Sequence, residues 1–181
     1  MNDIQTTDGE EVLRSLVAAS VAGTILVNQD SIIEMVNAPV LKMFGYQEDE
    51  LSGQSLDKLI PMDRRKAHHQ YTEKFLKKPS SKAMAAKRLV YGLHQSGYKF
   101  PVEVKLSPMR LNGRVHVIAM ITDITIQKKI RDWNTLLFKA FQESINGIYL
   151  VDAQSLKFHD VNHGGQKQLG YSWKEIENIY P

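Results

Sequence analysis

Apolar residues between positions 9 and 19 fall at Val12, Leu13, Leu16 and Val17, one stripe of a helix whose start Asp8 is placed to cap. Two short β-type runs follow, residues 23–27 and 32–36, and Asn28-Gln29-Asp30 between them carries hairpin-turn chemistry. Short helical pieces come next at 39–44, 48–51 and 56–60. Pro61 opens a longer helix through Lys78, which Pro79 and two serines end. Beyond it the period falls to two. Residues 87–93 form a first strand-like run, and Phe100, Val102, Val104 and Leu106 then alternate with Pro101, Glu103 and Lys105, as in a half-buried strand. Asn112-Gly113 is a strong hairpin turn, and residues 115–122 return beside it. This order predicts an α+β domain, a five-stranded antiparallel sheet with helices on one face, flanked by N-terminal and C-terminal connecting helices.

Helical periodicity resumes at Ile126. Ile126, Ile130, Trp133, Leu137 and Ala140 step by four, three, four and three, the seam of a parallel coiled coil. Only about two heptads are present, so a helix packed on its own domain satisfies the same pattern. A repeat is visible after it. Gly23 and Val27 recur as Gly147 and Val151, Val36-Asn37 as Val161-Asn162, Gly45-Tyr46 as Gly170-Tyr171, and Glu50 as Glu175. The offset is 124 at first and 125 later, which places one inserted residue in the second hairpin. A repeat at that spacing is a duplicated domain. The chain therefore divides into a tail and flanking helix at 1–20, a first domain at 21–125, a connecting helix at 126–143, and the start of a second domain at 144–181. The second copy stops level with Leu56 of the first, without the long helix and three of five strands. Two strands alone are not expected to bury their apolar face within one chain, and a longer parent protein is expected.

Composition narrows the chemistry. The 181 residues are 43% hydrophobic and 24% charged, enough for the core of one domain and part of another. With no cysteine, disulfides, thiolate metal sites, thiol catalysis and a cysteine adduct to flavin are all excluded. The acidic, polar N-terminus is not a secretory signal, and no run approaches the ~18 apolar residues of a membrane span. A cytoplasmic location without membrane contact in this stretch is expected. Net charge is +3, with basic residues concentrated at Arg64, Arg65, Lys66, Lys74, Lys77 and Lys78. On a helix such a run reads as a solvated face, and no nucleic-acid partner is expected. His94, His116, His159 and His163 look ordinary, without metal-ligand spacing on a shared helix face. No nucleophile–base pair, phosphate loop or spaced carboxylate pair is present, so no catalytic residue is assigned and no catalysis within this stretch is expected.

The order of small motifs carries a resemblance. Val36-Asn37-Ala38 follows the hairpin, then come Phe44-Gly45-Tyr46, Glu50-Leu51-Ser52-Gly53 and Leu59-Ile60-Pro61. Gly97 stands before Phe100-Pro101-Val102-Glu103-Val104, and Thr122-Asp123-Ile124-Thr125 closes the segment. In this order they resemble the PAS family, well over residues 12–127 and partially over 136–181. The resemblance implies the PAS fold and a sensory and dimerising module of a bacterial-type signalling protein, either a histidine kinase or a cyclic-di-nucleotide enzyme. A ligand-free interaction module is the alternative it leaves open.

In the helix from Pro61, residues His68, Tyr71, Thr72, Phe75 and Leu76 share one face, while His69 turns about 100° away. Leu59-Ile60-Pro61 followed by His68 and Tyr71 is similar to the oxygen-sensing haem PAS proteins of the FixL and Dos type. There the matching histidine is the proximal iron ligand. The resemblance implies His68 as ligand to a haem iron, with Tyr71 and Phe75 lining the site. It also puts Arg88 where those proteins place the arginine that serves the gas-binding side or pairs with a propionate. Ala86 stands where the Dos type has a methionine, and Met84 is two residues off. An inward histidine is also an ordinary core residue, so three occupants stay open: haem as the leading named candidate, no cofactor or another small ligand, and flavin as the less favoured. Asp123 and Thr125 match the family's strand-to-helix relay motif. A homodimer through the flanking helices, an effector domain of the same parent chain, and a small ligand or gas complete the implied partners.

Overall fold

The computed structural model describes residues 4–77, 82–83, 90–111 and 113–177. It divides into two compact units between Ile126 and Gln127. Unit 1 runs α1 (Ile4–Ala19), β1 (Gly23–Asn28), β2 (Ile33–Val36), α2 (Ala38–Phe44), α3 (Glu48–Leu51), a 3-10 turn (Leu56–Leu59), α4 (Met62–Lys77), β3 (Lys82–Ala83), β4 (Val90–Leu93), β5 (Lys99–Leu111) and β6 (Arg114–Asp123). From its end springs α5 (Thr125–Glu143), followed by β7 (Tyr149–Val151), β8 (Phe158–Val161), α6 (His163–Leu169) and α7 (Trp173–Ile176). Among the described residues no helix is long and apolar enough to cross a membrane.

Local chemistry sets the boundaries. Asn28 Oδ1 accepts from the amides of Asp30 and Ile32, both at 3.0 Å, and so builds the β1–β2 turn from a side chain. Asn37 caps α2, Pro39 occupies its first turn, and Gly45 ends it at φ +79°, a left-handed position that suits glycine. A Cβ at Gly45 would also run into the His94 imidazole, which stacks on Tyr98 with ring centroids 4.4 Å apart. Gln47 and Glu50 close a capping box on α3.

The sheet of unit 1 is antiparallel, in the order β2-β1-β6-β5, with β3 and β4 on the remaining edge of β5. β3 meets β5 at Lys105 and Leu106, and β4 meets it at 99–102, so the sheet is five strands wide. The expected five-stranded architecture is present. The two-residue β3 is an addition, too short to leave a period in the sequence. The expected strand at 87–93 is described only from Val90, and residues 84–89 lie outside the described residues.

The inner face of the sheet carries Ile25, Val27, Ile33, Phe100, Val102, Val117, Ala119 and Ile121. Val40 and Phe44 of α2, Leu51 of α3, Leu59 of the turn and Phe75 of α4 close over it. Each such side chain stabilises by about 1.5–3 kcal/mol through the area it removes from water. The sequence offered no place on the sheet for the α1 stripe, and here the structure corrects it. Leu13 and Val17 are buried against Leu26, Met35, Met109, Leu111 and Ile118, the opposite face of the same sheet. Helices therefore lie on both faces, and the stripe is divided, because Val12 and Leu16 stay exposed, Leu16 at 65%.

Unit 2 repeats the opening of unit 1. β7 and β8 pair antiparallel with an irregularity between Leu150 and Val151, as β1 and β2 have one between Leu26 and Val27. Val161 and Ile176 are buried, whereas Leu150 and Val151 are exposed.

Candidate functional site

Three contacts fix how α4 is rotated. Arg65 donates from Nε to the carbonyl of Ile60 at 3.2 Å, Lys99 on β5 pairs with Asp63 at 2.7 Å, and His69 Nε2 lies 2.8 and 2.9 Å from the two carboxylate oxygens of Asp57. The Lys99 ammonium holds the Asp63 carboxyl below its usual range. With Asp63 and His69 pinned to their neighbours, His68, Thr72, Phe75 and Leu76 are half-buried or buried positions of the helix.

His68 is one of them. It is half-buried, and its Nδ1 is enclosed without a hydrogen-bond partner among the described residues. Burial lowers its proton affinity below the ordinary 6.5, outweighing the opposite pull of Asp57. The side chain is therefore a neutral imidazole at neutral pH, the form that ligates metals. Thr72, one turn on, returns its hydroxyl to the carbonyl of His68 at 3.1 Å. Phe75 is buried and Leu76 packs beside it on the inner core.

Tyr71 does not share that face fully. It is 36% exposed at the helix margin and stacks on Phe75 with ring centroids 6.4 Å apart, which makes it a cover over the phenylalanine. His68 is half-buried and Phe75 buried on α4, Tyr71 sits at the helix margin, and Arg88 lies outside the described residues. A half-buried imidazole whose Nδ1 has no hydrogen-bond partner among the described residues, on the helix that also carries Phe75 and Leu76, suits a group that takes one nitrogen donor. Haem is such a group.

Asp123 and Thr125 meet in one cap. Asp123 Oδ1 accepts from the Thr125 amide at 2.7 Å and from its hydroxyl at 2.5 Å, at the start of α5. The intervening Ile124 amide donates to the Pro101 carbonyl at 3.1 Å, tying this corner to β5.

Two residues had been underrated. His116 looked ordinary, yet it is buried on β6, with Nε2 3.1 Å from Glu34 of β2 and Nδ1 3.2 Å from the Arg114 carbonyl. Asn37, met in the sequence only within the Val36-Asn37-Ala38 motif, bonds five backbone groups at once.

Residues 21–125 of the chain match the family model described as PAS domain. The chain belongs to the PAS domain family. Among curated proteins it is 22% identical over 159 residues to the Oxygen sensor protein DosP of Escherichia coli, spanning 88% of this chain and 20% of that protein. It is 24% identical over 116 residues to the Sensor protein FixL of Bradyrhizobium diazoefficiens, across 64% of this chain and 23% of that one. The PAS chain thus spans about a fifth of the length of these relatives. Among solved structures, a PAS domain from a two-component sensor histidine kinase aligns with a TM-score of 0.52 at 18% identity, covering 66% of this chain and 99% of the other. That likeness concerns the fold.

Proposed function

We propose that this chain is the sensory and dimerising input module of a larger cytoplasmic signalling protein, with a haem held in unit 1 through His68. The observation that carries the ligand is the half-buried His68 imidazole, neutral and with an enclosed nitrogen that nothing among the described residues engages. A buried polar atom without a partner costs about 1–3 kcal/mol, and it is retained where it serves something else. Kinship with an oxygen sensor and a sensor protein supports the same reading. Bound haem would supply reversible gas binding. The chain's part is to offer the nitrogen, to keep it deprotonated, and to enclose it with Phe75, Leu76 and Thr72, while Tyr71 covers the margin. By the family pattern Arg88 would serve the gas-binding side or pair with a propionate.

The signal leaves through the Asp123–Thr125 cap and the helix α5, which carries Ile126, Ile130, Trp133 and Leu137 exposed, Trp133 at 60%. These exposed residues, and separately Val12 and Leu16 of α1, support a homodimer through the flanking helices. The output belongs to a kinase or cyclic-di-nucleotide effector in the parent protein. A second reading, a ligand-free interaction module, draws on the closed apolar packing of Phe44, Phe75 and Phe100. An absorption spectrum separates them. A Soret band in the protein purified from haem-supplemented cells is expected, and a protein that stays colourless after haem reconstitution removes the haem assignment and leaves the interaction reading.

A further inference from the structure

Asn37 is buried and uses every polar atom of its amide. Nδ2 donates to the carbonyls of Val17 at 3.2 Å, Ser20 at 3.1 Å and Ala22 at 2.8 Å, so two hydrogens are shared among three acceptors. Oδ1 accepts from the amides of Thr24 at 2.8 Å and Val40 at 3.3 Å. One side chain thus holds the end of α1, the start of β1 and the first turn of α2.

The same five bonds occur in unit 2. Asn162 Nδ2 donates to the carbonyls of Phe141 at 2.9 Å, Ser144 at 3.2 Å and Asn146 at 3.0 Å, and its Oδ1 accepts from Ile148 at 2.8 Å and Gly165 at 2.9 Å. Partner for partner, Val17 corresponds to Phe141, Ser20 to Ser144, Ala22 to Asn146, Thr24 to Ile148 and Val40 to Gly165. The spacings are 124 for the first four and 125 for the last, the spacings of the sequence repeat. The backbone amides of the two asparagines repeat the pattern too, donating to Thr24 at 3.2 Å and to Ile148 at 3.1 Å.

This equivalence gives α5 a second identity. It begins at the Asp123 cap of unit 1, but the Phe141 carbonyl in its last turn and the Ser144 and Asn146 carbonyls just beyond it are bound by Asn162 of unit 2, as Val17 in the last turn of α1 and Ser20 and Ala22 beyond it are bound by Asn37. We propose that Asn37 and Asn162 are matched joints, each fixing the end of the helix that enters its unit to that unit's first hairpin, so that α5 is set by unit 1 at its start and by unit 2 at its end. Asn162 is then a positioning residue through which a change in either unit is expressed in the same helix. The reading does not depend on which ligand unit 1 holds.

Serine tests it, because Asn37→Ser and Asn162→Ser keep a neutral helix-capping oxygen for Val40 and Gly165 but are too short to span three carbonyls. Hydrogen exchange of the whole 181-residue chain reads the result residue by residue. Asn37→Ser should speed exchange over residues 14–19 by about tenfold, and Asn162→Ser should do so over 138–143, as expected for losing two or three shared hydrogen bonds. The amides of β5, β6, Val40 and Gly165 should stay near wild type. Asn37→Ala and Asn162→Ala should deprotect Val40 and Gly165 as well. Unchanged helix exchange in the serine variants overturns the joint. So does a uniform rise across the unit, which marks a plain core residue. A response at α1 without one at α5, or a wild-type 138–143 that exchanges like unstructured chain, overturns the equivalence.

Discussion

A histidine that has lost its water on the inner side of α4 is held neutral by that loss, and the sign of its effect on stability follows. His68 binds a proton less readily folded than unfolded, so the unfolded chain takes up more protons as pH falls. Its neutral form is fully compatible with the fold above about 6.5, its ordinary value, and the compatibility is lost as pH drops through the lower folded value. Urea unfolding of wild type and His68→Leu should therefore diverge on acidification. Wild type should lose stability between about pH 7.5 and pH 5 in excess of the variant, and parallel curves would contradict the burial. Much of this residue's setting was legible in the chain, because the spacing of 68, 72, 75 and 76 selects one helical face. The margin position of Tyr71 was not, since a residue at the border of a stripe is turned in or out by contacts such as Asp63–Lys99 that join distant segments. The burial of His116 was hidden for a like reason, as its partner Glu34 lies 82 positions away.

At the scale of elements, alternation and caps located nearly all the helices and strands, because those signals are local. What they could not convey was which side of the sheet a helix covers. The inner face announces itself through Ile25, Val27, Val117 and Ala119, but the outer face is apolar too, at Leu26, Met35 and Ile118, and α1 uses it. An apolar stripe on a terminal helix is thus shared between its own sheet and whatever lies outside. Truncations separate the two uses. Leu13→Ala should destabilise unit 1 by about 2–3 kcal/mol, the range for a buried leucine losing its methyls. Leu16→Ser should change it by no more than about 0.5 kcal/mol, as at an exposed site. Denaturation at a protein concentration low enough to keep the chain monomeric reads both, and equal losses would contradict the divided stripe.

For the whole molecule, the proposed homodimer runs through the flanking helices and is separable by mutation from the fold of the PAS domain. Polar replacement of Leu16 together with Ile130 should turn a dimer into a monomer in sedimentation velocity while the sheet of unit 1 keeps its circular dichroism and melting point. A wild-type chain that is already monomeric at high micromolar concentration contradicts that proposal. The repeat, legible from Val36-Asn37 and Val161-Asn162, foretold two units of like design, but the five-bond clasp around each asparagine required coordinates, because its acceptors are carbonyls that carry no sequence signal. The central claim, that unit 1 receives its ligand through His68, is tested most directly by titrating the chain with haem and following the Soret band. Wild type and His69→Ala should both saturate at about one haem per chain, since His69 faces Asp57 and not the core. His68→Ala should show no saturable band, and a His68→Ala protein that binds haem as wild type does would contradict the account.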